Sequence, residues 1–134
     1  MFYNSNSITE TKVPIDVTQA TGDLHYAFGA YGMAQGLKKI QQLIVDEDTV
    51  FNTTAFNRAS SLSYIRIAGK IGQSLSFQWS PLDRESILSV YDALSTTATG
   101  QTCTFNKTAV NAAFTTEEWE ALTNAKNNWT FTLS

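Results

Sequence analysis

A mixed α/β fold, built of short stacked repeats and closed at its C-terminal end by a helix-strand-helix-strand cap, is what this sequence predicts. Three observations carry the expectation. Short apolar runs recur in the middle of the chain, where Leu37-Lys38-Lys39-Ile40 lines up with Leu62-Ser63-Tyr64-Ile65, 25 residues later. From Pro81 onward the apolar spacing alternates between the period of a helix and that of a strand. The chain has 134 residues, enough for one core and too few for a second domain. A single domain over 1–134 is therefore expected, with degenerate repeats in 1–82 and the cap in 83–134.

The elements follow in chain order. Val13, Ile15 and Val17 alternate at period two and read as a short strand. Gly29 and Gly32 lie in a Gly/Ala/aromatic stretch that fits a loop. The repeating unit is Ala-Phe, a small polar turn, Leu-x-x-Ile and a short strand. Ala55-Phe56 precedes Leu62, Ala27-Phe28 precedes Leu37 with a longer spacer, and Ser76-Phe77 before Leu82 is a weaker echo. A four-residue strand cannot bury its own face, so each Leu, Ile and Phe must lie over its counterpart in the next copy to form an apolar column. In the cap, Asp83 is placed to start a helix whose inward face is Ile87, Leu88, Val90, Tyr91 and Leu94, ending near Ser95. Thr102–Phe105 reads as a strand. Thr115 and Glu118 have the spacing of a capping box, which starts a second helix with Trp119 and Leu122 inward and Asn127-Asn128 at its stop. Trp129–Leu133 alternates apolar and polar as a half-buried strand does.

The run Thr54-Ala55-Phe56-Asn57-Arg58-Ala59-Ser60-Ser61-Leu62-Ser63-Tyr64-Ile65-Arg66-Ile67 resembles the BspA-type leucine-rich repeat, whose units read roughly Ala-Phe-x-x-Cys-x-Ser-Leu-x-x-Ile. Ala59 stands where that family often has Cys. Gly69–Phe77 with Ser80-Pro81-Leu82 is similar to the last repeat of such arrays, and Leu94–Gly100 and Lys126–Thr130 to the cap that follows. The resemblance covers roughly residues 10–134 and is specific from 54 to 133. It implies a short right-handed leucine-rich-repeat solenoid with parallel strands, found in proteins of bacterial surfaces and of phage or prophage tails. It also implies adhesion or recognition without catalysis, an extracellular, cell-surface or virion location, and a sheet whose outward residues face the ligand. With Leu62, Ile65 and Ile67 inward, those residues are Ser63, Tyr64 and Arg66, and in the preceding copy Lys38, Lys39, Gln41 and Gln42. The candidate ligand-binding set is thus Tyr64, Arg66, Ser63, Lys39 and Gln41, because Tyr and Arg are the types enriched where binding energy concentrates.

Composition narrows the partners. Nine basic residues against twelve acidic ones leave a net charge of −3 without a basic stripe, so no nucleic-acid partner is expected. No apolar run approaches the length that spans a bilayer, so no membrane insertion is expected. Met1–Ser7 has neither a basic start nor an apolar stretch, so no signal peptide is read there. The repeats begin without an obvious N-terminal cap, and that edge is expected to self-associate or to continue a longer array.

Chemistry is sparse. His25 is the single imidazole and reads as packing or surface, although Asp23 is two residues away. Cys103, the single cysteine, has no neighbouring cation and reads as a small buried hydrophobe. Asp46-Glu47-Asp48 lacks the Gly and distal Glu of a calcium loop and reads as a solvated turn. The phosphate-loop, dinucleotide and nucleophile-elbow patterns are absent. Asn52-Thr53-Thr54, Asn106-Lys107-Thr108 and Asn128-Trp129-Thr130 match the N-glycosylation pattern, as chance allows in a chain this rich in Asn and Thr. No catalytic residues, metal or cofactor are therefore expected. The leading expectation is a non-enzymatic recognition module taking a protein or glycan ligand, and the alternative is a structural or assembly subunit with only protein partners.

Overall fold

The computed structural model describes residues 8–29 and 36–134. Its strands are β1 (Glu10–Thr11), β2 (Ile15–Asp16), β3 (Lys39–Val45), β4 (Tyr64–Gly69), β5 (Leu75–Phe77), β6 (Gln101–Phe105) and β7 (Trp129–Leu133), and its helices are α1 (Arg84–Ala93), α2 (Lys107–Ala113) and α3 (Thr116–Ala125). Every strand pairing is parallel. The fold is therefore mixed α/β with parallel strands, but in two sheets rather than one.

In the first sheet, β1 and β2 lie end to end along one edge of β3, and β4 lies along the other. Lys39 pairs with Tyr64 and Ile40 with Ile65, the 25-residue offset read from the sequence. The register then shifts, because Gln41 and Gln42 of β3 stand opposite Arg66 alone, and Leu43 pairs with Ile67. Gly69 ends β4 at φ +98°, where a Cβ would run into the Val45 carbonyl. One correction falls on the first strand: Val13 is 68% exposed, and Thr11 is buried in the inward row with Ile15 half-buried beyond it. Pro14, which cannot donate to a ladder, separates β1 from β2 and turns Val13 out. Gly32 lies outside the described residues.

The second sheet runs β5-β6-β7, with Leu75 over Cys103 and Phe131, and Phe77 over Phe105 and Leu133, each 28 residues on. An isolated parallel bridge joins Ile71, which lies between the two sheets in sequence, to Leu94. Phe28 stacks on Phe56 at 5.2 Å between ring centroids, Phe56 on Phe77 at 4.4 Å, and Phe77 on Phe105 at 6.3 Å. Trp119 closes this column edge-on against Phe105 at 5.7 Å. The Ala-Phe units of the sequence supply its first members, and Phe105, read only as part of a strand, supplies the fourth. All belong to one apolar cluster that runs from Val17 to Trp129.

The cap holds one helix more than expected. Asp83 accepts from the Ser86 amide at the start of α1, and Thr115 and Glu118 form the reciprocal capping box of α3. Between β6 and α3 stands α2, begun by Asn106, whose side chain accepts from the Ala109 amide. Only Val110 of α2 is buried, so no apolar stripe announces it. Helix α1 lies along the open edge of β4, where Ser86 Oγ accepts from the Ile65 amide at 3.0 Å and Ser89 Oγ from the Ile67 amide at 2.9 Å. Two hydroxyls thus stand in for the carbonyls of a next strand. Among the described residues no helix is long and apolar enough to cross a membrane.

Candidate functional site

Alternation along β4, and along β3 on either side of its extra residue, turns Ile40, Leu43, Ile65 and Ile67 toward the core, and Lys39, Gln41, Tyr64 and Arg66 to the opposite face. Lys39 and Tyr64 are directly cross-strand, and the Lys39 Nζ sits 4.4 Å from the Tyr64 ring centroid. The Arg66 guanidinium covers the same ring at 4.0 Å. One aromatic ring therefore carries two cations, an arrangement that is modestly attractive and holds the phenol still.

Arg66 is positioned from several directions. Its Nη1 donates to Ser86 Oγ at 2.8 Å and to the Ile65 carbonyl at 3.0 Å, and its Nη2 donates to Glu85 at 2.9 Å. Asp83 adds a longer ion pair at 4.0 Å. Sequence reasoning missed Asp83, Glu85 and Ser86 as neighbours of this face, because they come from α1, some twenty residues downstream. Ser63 is exposed, and its backbone joins the Lys38 carbonyl to the Asp83 amide. Gln41 is exposed as well, its amide donating to Thr11 Oγ1 at 3.0 Å. The structure thus brings Lys39, Tyr64 and Arg66 into contact, with Ser63 and Gln41 at the margins.

The remaining sequence candidates are accounted for singly. His25 is exposed, with Nδ1 2.7 Å from Thr54 Oγ1 and its ring 4.0 Å from that of Tyr26. Asp23 directs one oxygen to the His25 backbone amide and the other to Asn52 Nδ2, so the cluster ties two loops together. Asp46 closes its own turn by accepting from the Asp48 amide and from Thr49 Oγ1, while Glu47 accepts from Ser95 Oγ. No group of three or more His, Cys, Asp or Glu among the described residues could hold a metal ion. Cys103 is fully buried, and burial pushes its thiol far above the usual range.

Two clefts lie among the helices that follow β5. A cleft of about 320 Å³ is lined by Leu88, Phe114, Leu122 and Ala125, and one of about 370 Å³ by Leu82, Ala109 and Ala112. Arg84 borders both. It stacks on Phe114 at 4.4 Å and donates to the Ala113 carbonyl and to Glu118. Comparison with known proteins finds no match to a family model, to a curated protein or to a solved structure.

Proposed function

We propose that this chain is a short leucine-rich-repeat solenoid of BspA-like character and serves as a non-catalytic recognition module. Parallel strands at near-constant offsets and the continuous phenylalanine column support the solenoid reading, since each turn of such a fold buries its face only against the next. The observation that carries the functional reading is the contact of Lys39 and Arg66 with Tyr64 on the outward face of β3 and β4. An aromatic ring already in contact with two cations loses little freedom on meeting a ligand and offers ring and charge together. The module is proposed to act at a bacterial or phage surface, and the ligand class proposed is a protein or a glycan.

The test is binding of the labelled protein to intact bacterial cells and to immobilised matrix proteins and mucin. Saturable binding lost in the Tyr64→Ala/Arg66→Ala variant supports the reading, and binding untouched by that variant sinks it. A second reading, an assembly subunit, is favoured by the β1–β2 edge, where exposed Val13 accompanies strands that no further described strand covers. Concentration-dependent sedimentation abolished by Val13→Lys would favour that alternative.

A further inference from the structure

The second sheet has an outward face of a different character. Its inward residues, Leu75 and Phe77, Cys103 and Phe105, are buried, and the alternate positions belong to the opposite side. There Thr102 pairs with Thr130 and Thr104 with Thr132, and the hydroxyls of Thr104 and Thr132 are bonded at 2.6 Å. On β5 the position matching Thr104 is Ser76, which is buried, so the accessible hydroxyl rows are those of β6 and β7. Immediately beyond the strand ends, Gln78, Asn106 and Ser134 line an open cleft of about 260 Å³ together with Trp79. Trp79 is 44% exposed, whereas Trp129 is buried and donates its indole N–H to the Ser95 carbonyl. None of these side chains is ionisable.

We infer that this face and the Trp79 cleft form a second binding surface, separate from Tyr64, whose ligand is a neutral polysaccharide. Sugar rings present C–H faces that pack on an indole and hydroxyls that exchange hydrogen bonds with Thr, Asn and Gln. The lining holds no cationic side chain, so an anionic polysaccharide would lose water there without gaining a counter-charge. The paired threonines of β6 and β7 offer a repeated hydroxyl pattern to successive units of an extended sugar chain.

The test is native affinity gel electrophoresis in gels containing barley β-glucan, hydroxyethyl cellulose or dextran, with polygalacturonate as the charged control. The expected result is retardation by at least one neutral polymer and weakening of at least tenfold in Trp79→Ala. Thr104→Val/Thr132→Val keeps side-chain shape, removes two hydroxyls and should weaken retardation too. Tyr64→Ala/Arg66→Ala should leave it unchanged, which separates this surface from the one proposed above. Retardation by no neutral polymer, retardation by polygalacturonate alone, or retardation untouched by Trp79→Ala would overturn the inference.

Discussion

Cys103 shows how one buried group makes the stability of the whole chain depend on pH. Its thiol is held protonated by burial at a pH where an unfolded chain has already released the proton. The stability it contributes is complete below the ordinary thiol value of about 8.5 and falls as pH rises through that value toward the raised folded one. Urea midpoints should therefore drop between pH 8 and pH 10, with a slope of up to about 1.4 kcal/mol per pH unit from this group alone. Cys103→Ala should lose that part of the slope, and an equal slope in both proteins would refute the assignment. Residues with local roles are legible at this scale: Asp83 and Thr115 are caps in sequence and structure alike, because a cap acts on amides within three positions. Lys126 is not. Its ammonium donates to the carbonyls of Tyr91 and Leu94 at the end of α1, a helix with no basic residue in its own last turn. Only tertiary structure brings it there. Lys126→Met should cost about 1 kcal/mol in thermal or urea unfolding.

Elements are where the sequence was most and least readable. The strands β6 and β7 and the helices α1 and α3 follow from periodicity and caps, while α2 has a good cap in Asn106 and almost no buried face. That asparagine opens an N-glycosylation pattern, and Asn followed by a short Ala-rich run is also a helix start. The junction of α1 with β4 was beyond periodicity altogether, since it depends on hydroxyls meeting amides across the sheet edge. Ser86→Ala leaves the Ile65 amide buried without an acceptor and frees one donor of Arg66, a loss of about 1–3 kcal/mol. Hydrogen exchange should show it locally: the Ile65 amide should exchange faster in Ser86→Ala and the Ile67 amide in Ser89→Ala. Uniform acceleration across β3 and β4 in both variants would mean that the hydroxyls hold no particular bond. This junction also places Glu85 and Asp83 beside Arg66, so the same helix that covers the sheet edge sets the charge around Tyr64.

For the molecule as a whole, the phenylalanine column is the common axis on which both sheets are built. The 25-residue match of Leu37 and Leu62 found the first sheet, because Lys39–Tyr64 and Ile40–Ile65 are true neighbours. It could not foretell that the strands after Gly69 pair in a second sheet, since Leu, Ile and Phe look alike in either sheet. Phe56 and Phe77 are central: each stacks on the other, and each also stacks on an outer ring. Either one replaced by Ala should cost about 3–5 kcal/mol, because a fully buried ring leaves a cavity that stacked neighbours on both sides cannot close. The Phe56→Ala/Phe77→Ala pair should cost less than the sum, by about 0.5–1.5 kcal/mol, since the first deletion already removes the ring contact that the second would break. Phe28 and Phe105 lie at opposite ends of the column with two rings between them, so Phe28→Ala and Phe105→Ala should add. Urea unfolding of the four single variants and these two double variants decides the matter. Coupling confined to the central pair makes the column a chain of nearest-neighbour contacts, as a stacked fold requires. Equal coupling in both pairs would mean that the cluster deforms as a single body, and the repeat description would then lose its energetic basis.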